Sequence, residues 1–121
     1  MSRLRVLVCG GRNYADKDKL FHMLDYLNES SPEEGIDVII QGGCTGADSL
    51  AREWAFKNTV PWLTYGADFK SLGPVAGPMR NRFMLAHSKP DIVVVFPGGK
   101  GTKHMRDIAY ASPNKLRIIE A

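Results

Sequence analysis

The chain has 121 residues, 44% hydrophobic and 24% charged, with a formal net charge of +3. That length holds one domain, 1–121, around a single core, and the composition is that of a soluble globular protein. The mild, scattered positive charge suits an anionic ligand and argues against a nucleic-acid surface, and no apolar run approaches a membrane span.

Met1-Ser2-Arg3 leads straight into a strand at 5–9, so no leader peptide is expected. Val6, Leu7 and Val8 give that strand the continuous apolar character of one buried on both faces. A helix follows over 16–30, with Leu20, Met23, Leu24 and Leu27 on one side and Asp16 as its cap. After a loop at 31–35, strand two covers 37–41. Helix two, 47–58, lines up Ala47, Leu50, Ala51, Trp54 and Ala55 as a core stripe. Strand three is expected at 62–65, then an irregular stretch, 66–77. Helix three starts on Pro78, a residue favoured in a first helical turn, and ends near His87. Strand four at 92–96, helix four at 101–111 and strand five at 116–120 complete the chain.

Strands alternating with helices imply a parallel sheet with helices on both faces. Right-handed crossovers favour a doubly wound α/β sheet of five strands in the order 3-2-1-4-5, with the switch point between strands one and four.

Three glycine-rich turns follow buried strands: Gly10-Gly11-Arg12-Asn13-Tyr14, Gly42-Gly43-Cys44-Thr45-Gly46-Ala47-Asp48 and Pro97-Gly98-Gly99-Lys100-Gly101-Thr102. Glycine lets backbone N–H groups approach an anion, and a helix N-terminus adds partial positive charge. The third turn reads as a phosphate holder made of its amides and the Thr102 hydroxyl, against the plainer reading of a tight strand-to-helix turn. It lacks the spacing of a Walker A loop. Asp48 fits either a capping carboxylate or an acceptor for ribose hydroxyls or a base edge, and Thr45 either a helix cap or a phosphate donor. Arg12 suits bidentate contact with phosphate or carboxylate, and Tyr14 suits stacking on a base. Arg80 and Asn81 fall in the first turn of helix three, where a cation opposes the helix dipole, a local misfit that points to function.

His22, His87 and His104 are scattered, so no metal site is expected. Asp16, Asp18 and Asp25 read as the solvated face of helix one, and Trp54 as core. Cys9 and Cys44, the only cysteines, read as reduced structural thiols in a cytoplasmic setting.

Together Gly10-Gly11-Arg12, Gly42-Gly43 with Gly46-Ala47-Asp48, Gly77-Pro78 with Arg80-Asn81 and Met84, and Pro97-Gly98-Gly99 with Gly101-Thr102 resemble the SLOG superfamily of Rossmann-like nucleotide-binding domains, in its YspA/YpsA-related branch. The resemblance covers nearly the whole chain. It implies a pocket for a nucleotide-derived ligand and no cofactor. Members include LOG-type phosphoribohydrolases, binders of nucleotide-derived signals and a branch that binds single-stranded DNA. The LOG pattern places a glutamate three positions after the threonine of its Pro-Gly-Gly turn, where this chain has Met105. It also carries Arg-Lys where this chain has Arg80-Asn81. Methionine cannot act as general acid or base, whereas the retained arginine keeps anion binding.

The leading expectation is therefore a sensor or sequestering module for a ribose-phosphate or ADP-ribose-like ligand. The alternative is a hydrolase of an N-glycosidic or phosphate-linked bond, with Asp48 and Arg80 as its catalytic residues. Single-stranded DNA binding stands third. A homodimer or larger homo-oligomer is expected, with Trp62 and Phe69 as apolar support.

Overall fold

The computed structural model describes residues 3–30 and 35–121, so Met1-Ser2 and most of the 31–35 loop lie outside the described residues. Its elements are β1 (Leu4–Cys9), α1 (Lys17–Glu29), β2 (Ile36–Gln41), α2 (Ala47–Lys57), β3 (Trp62–Thr64), α3 (Phe69–Leu72), a 3-10 turn (Gly73–Val75), α4 (Ala76–Ser88), β4 (Ile92–Val95), α5 (Lys100–Tyr110) and β5 (Arg117–Glu120). The five strands pair in parallel in the order β3-β2-β1-β4-β5. β1 is central, with Val6 opposite both Ile39 and Ile92.

Side chains alternate across a strand, so the central strands feed two cores. Val6, Val8 and Ile39 pack with Leu20, Leu24, Ala51 and Trp54 from α1 and α2. Leu7, Cys9, Ile40 and Val93 pack with Met84, Met105 and Ala109 from α4 and α5. This is the doubly wound α/β arrangement, and it gathers the strand carboxyl ends along one edge.

Asp16 caps α1 by accepting from the Lys19 N–H at 3.2 Å. Asp25 departs from the solvated face expected for it: it accepts from the Trp54 indole N–H at 2.8 Å, tying α1 to α2. The stretch expected to be irregular holds α3, capped by Asp68 accepting from the Ser71 N–H at 3.1 Å, and the 3-10 turn runs directly into α4. Helix three of the sequence reading therefore begins at Ala76, two residues before Pro78. The first four N–H groups of a helix need no intrahelical partner, so a proline in the third position costs no bond.

Gly46 is the N-cap of α2 and has φ +76° and ψ −127°, a conformation open to glycine. A Cβ there would meet the Gly11 carbonyl and lie 2.6 Å from the Arg12 carbonyl carbon, both backbone. Gly46→Ala is expected to cost more than about 3 kcal/mol, from backbone strain and clash together. Urea unfolding beside wild type measures it, and a loss below about 1 kcal/mol would contradict this account of the turn.

Candidate functional site

A cavity of about 560 Å³ opens at the carboxyl edge of the sheet, where the β1 and β4 turns diverge. Its floor is apolar and buried: Val8, Cys9, Met84 and Met105. Its rim carries Arg12 and Lys100, both exposed, with Arg80 and Asp48 on the wall built by the β2 turn and α4. Such a volume, apolar with a few convergent polar groups, is typical of a small-molecule site. Three permanent cations face one acid among the described lining residues, so the interior favours an anion.

The glycines divide into two kinds. Gly10, Gly11 and Gly98 permit turn-on-turn packing. A Cβ on Gly10 would lie 2.6 Å from the Ala47 Cβ, and one on Gly98 2.6 Å from the Gly11 nitrogen. Gly99 and Gly101 have open space where a Cβ would sit, and both line the cavity at the start of α5. Thr45 is not the cap of α2; its hydroxyl donates to the Arg12 carbonyl at 3.0 Å and binds the β2 turn to the β1 turn.

Asp48 is 6% exposed, and its carboxylate accepts from the Cys44 N–H at 3.1 Å, stapling its own turn while lining the cavity. Burial pushes its pKa up, although the Cys44 amide and the Arg80 and Arg52 charges pull the other way. Burial, with the Asp48 charge behind it, pushes the Cys9 thiol up to about 12, so this cysteine is no nucleophile.

Arg80 sits in the second turn of α4 and works largely through backbone. One terminal nitrogen donates to the Gly42 carbonyl at 2.7 Å and the Tyr65 carbonyl at 3.1 Å. Its Nε donates to the Asn81 side-chain oxygen at 3.0 Å. That bond fixes the Asn81 amide, whose nitrogen then faces the Gly101 carbonyl at 3.2 Å and His104 Nδ1 at 3.2 Å. Nδ1 must accept there, so His104 is neutral with its proton on Nε2; burial and the Arg82 charge lower its pKa in agreement.

Gly10, Gly11, Arg12, Gly42, Asp48, Arg80, Asn81, Gly99, Gly101 and Thr102 all line this cavity. Gly43, Thr45, Gly46, Pro97, Gly98 and Tyr14 do not. Pro97 and Gly98 line a neighbouring cavity of about 250 Å³ on the β5 side. The Tyr14 ring packs on Phe96 at 5.2 Å between centroids, against the α1–α2 core. Its position away from the cavity follows from that aromatic contact, which turns the half-buried ring toward Phe96 and the core.

Sequence reasoning missed Phe69, Pro74, Lys100 and His104 as lining residues. Phe69, which the sequence offers as support for self-association, lies over the cavity with the Arg12 guanidinium 5.4 Å from its ring centroid. An apolar residue between Asp68 and Lys70 is the available signal for it. Among the described residues, no group of three or more histidine, cysteine or acidic side chains could hold a metal ion, and no helix is long and apolar enough to cross a membrane.

A carboxyl whose folded pKa is raised contributes stability below its unfolded pKa and loses it as pH rises through the folded value. Asp48→Asn is therefore expected to stabilise the fold at pH 7, by on the order of 1 kcal/mol, with the difference shrinking toward pH 4. Melting curves of both proteins across that range check it. Arg80→Ala is expected to destabilise by about 2–3 kcal/mol, because the Gly42 and Tyr65 carbonyls lose a charged donor. Equal unfolding midpoints in urea would refute that role.

Comparison with known proteins bears on the family and the fold. Residues 4–71 match the model of the YAcAr family, described as YspA, cpYpsA-related SLOG family; the match runs from β1 through most of α3. The gene 61 protein of Mycobacterium phage D29 is 34% identical over 108 residues, covering 83% of each chain. The X-ray structure of TM1055 superposes with a TM-score of 0.65 at 21% identity, over 92% of this chain and 69% of that one. DNA processing protein A from Streptococcus pneumoniae superposes with a TM-score of 0.56 at 14% identity, over 97% of this chain and 58% of that one. Those two likenesses concern the fold. The chain belongs to the YspA, cpYpsA-related SLOG family, within a superfamily of Rossmann-like nucleotide-binding domains.

Proposed function

We propose that the protein binds a nucleotide or nucleotide-derived ligand of the ribose-phosphate or ADP-ribose kind at the carboxyl edge of its sheet, as a sensor or sequestering module. The observation that carries this reading is the segregated cavity: cations at the rim and wall, the open Gly99–Lys100–Gly101 start of α5 beside them, and an apolar floor. The anionic part of such a ligand meets Arg12, Lys100 and the α5 N-terminus. The base meets Val8, Met84 and Met105.

Hydrolysis is the second reading, and the buried Asp48 with its raised pKa is the observation in its favour. Against it, Met105 is 1% exposed on the floor where the LOG-type pattern has a glutamate, and Asp48 is the sole acid among the described lining residues. Phe69 is likewise the single aromatic among the lining residues, whereas single-stranded nucleic acid is held on a series of them.

A thermal-shift screen against AMP, ADP-ribose, NAD and cyclic dinucleotides tests the proposal, followed by chromatography of each ligand after incubation. The expected result is a raised melting temperature with intact ligand. Arg12→Ala and Lys100→Ala are each expected to weaken binding roughly 10-fold, with a larger effect at low salt. No shift with any probe would refute the reading. Release of free base and ribose phosphate, abolished in Asp48→Asn, would put the hydrolase in its place.

A further inference from the structure

Two cavities flank the first turns of α5. Gly101, His104 and Met105 line the larger one already described. Gly99, Thr102, Lys103 and Arg106, spaced i, i+3, i+4 and i+7 on the other side of the helix, line the neighbouring cavity of about 250 Å³ beside β5. Gly99 and Thr102 border both. Nothing stands within 4 Å of the space a Gly99 side chain would fill, so the ridge between the cavities is low at that point. The start of α5, with its unpaired N–H groups, is open to a solute from either side.

Thr102 marks the crossing. It is 9% exposed, and its hydroxyl lies over Gly98, where an added Cβ would run into it. Among the described residues no group bonds to that hydroxyl. A nearly buried hydroxyl left open on a wall shared by two cavities is a place for a ligand oxygen, and the helix-start amides beside it favour an anionic one. The chemistry beyond the crossing differs from that of the larger cavity. Val95 and Phe96 form the base, but Arg106 and Glu120 stand on the walls. The Tyr110 hydroxyl donates to one Glu120 oxygen at 2.6 Å and sets the carboxylate. The other oxygen is 3.5 Å from an Arg106 terminal nitrogen, and Asp107 lies 3.7 Å from Arg106 Nε. Both separations are well beyond the roughly 2.8 Å of a firm charge-assisted bond. An acceptor and a donor held loosely side by side suit hydroxyl groups, which both donate and accept.

We propose that the β5-side cavity is a sugar subsite and that the ligand is a nucleoside diphosphate carrying a terminal sugar. The base lies on the apolar floor of the larger cavity, the pyrophosphate crosses Gly99 and Thr102 at the start of α5, and the sugar hydroxyls meet Glu120 and Arg106. The inference rests on the nucleotide reading of the larger cavity and adds the part of the ligand that reading leaves open. A phosphate monoester carries an organic group on one side only, whereas a pyrophosphate bridge carries one at each end. Two cavities meeting at one anion-binding edge match the bridge.

Isothermal titration calorimetry on the full chain tests this with AMP, ADP and ADP-ribose, in wild type, Arg106→Ala and Glu120→Gln. ADP-ribose is expected to bind wild type at least about 10-fold more tightly than ADP, and each variant is expected to reduce that advantage to less than about 3-fold. Should Arg106→Ala fail to fold, Glu120→Gln decides alone. Equal affinities of ADP and ADP-ribose for wild type would overturn the sugar subsite and leave the nucleotide reading of the larger cavity standing. An advantage that survives both substitutions would place the sugar elsewhere and overturn it equally, as would an equal loss for AMP and ADP-ribose, which marks a merely structural role. Absence of binding by all three would remove the nucleotide reading and the subsite together.

Discussion

The backbone of one residue, Gly11, joins the three segments from which the site is made. Its N–H donates to the Pro97 carbonyl at 2.9 Å, and its carbonyl accepts from the Ala47 and Tyr14 N–H groups, each at 3.2 Å. The β1 turn is thereby fastened to the β4 turn on one side and to the start of α2 on the other. A side chain on Gly10, Gly46 or Gly98 would run into Ala47, the Gly11 and Arg12 carbonyls, or Thr102 and the Gly11 nitrogen, which is why glycines surround this crossing. The cavity is the space left where these turns, locked together at their base, part toward solvent.

Around that hub the polar groups act mostly on one another. Arg80 spends its donors on the Gly42 and Tyr65 carbonyls and on Asn81, and Asn81 passes the orientation on to His104. Asp48 holds the Cys44 amide. The buried wall is a rigid, nearly satisfied network, and the groups still free to meet a solute, Arg12 and Lys100, stand at its mouth. Arg80 therefore presents a largely fixed charge, with one terminal nitrogen held by the Gly42 and Tyr65 carbonyls and Nε by the Asn81 side chain.

The sheet order and the grouping of the turns were legible in the sequence because both follow from local signals: apolar runs, glycine after strands, and the handedness of crossovers. Ten of the residues singled out for the site meet in one cavity for that reason. Tyr14 escaped because nothing local says which way a ring beside a turn will fold; Phe96, far off in sequence, decides it. Thr45 escaped likewise, its hydroxyl drawn to the Arg12 carbonyl across a non-local contact in preference to its own helix. Phe69 and Pro74 reach the cavity only because the stretch after β3 coils into α3 and a 3-10 turn, short elements whose periodicity is too brief to read.

The unequal roles of the glycines bear on how such a domain changes over time. Gly10, Gly46 and Gly98 leave no volume for even a methyl group, so the frame around Gly11 admits no added side chain. Gly99 and Gly101 have negative φ and nothing within 4 Å of the space a side chain would fill. A single base change at either position adds a new functional group at the mouth of the pocket without disturbing the frame. The fold thus separates a frame that admits no added side chain from two adjustable sites, so one substitution can change what is recognised while keeping the architecture that does the recognising.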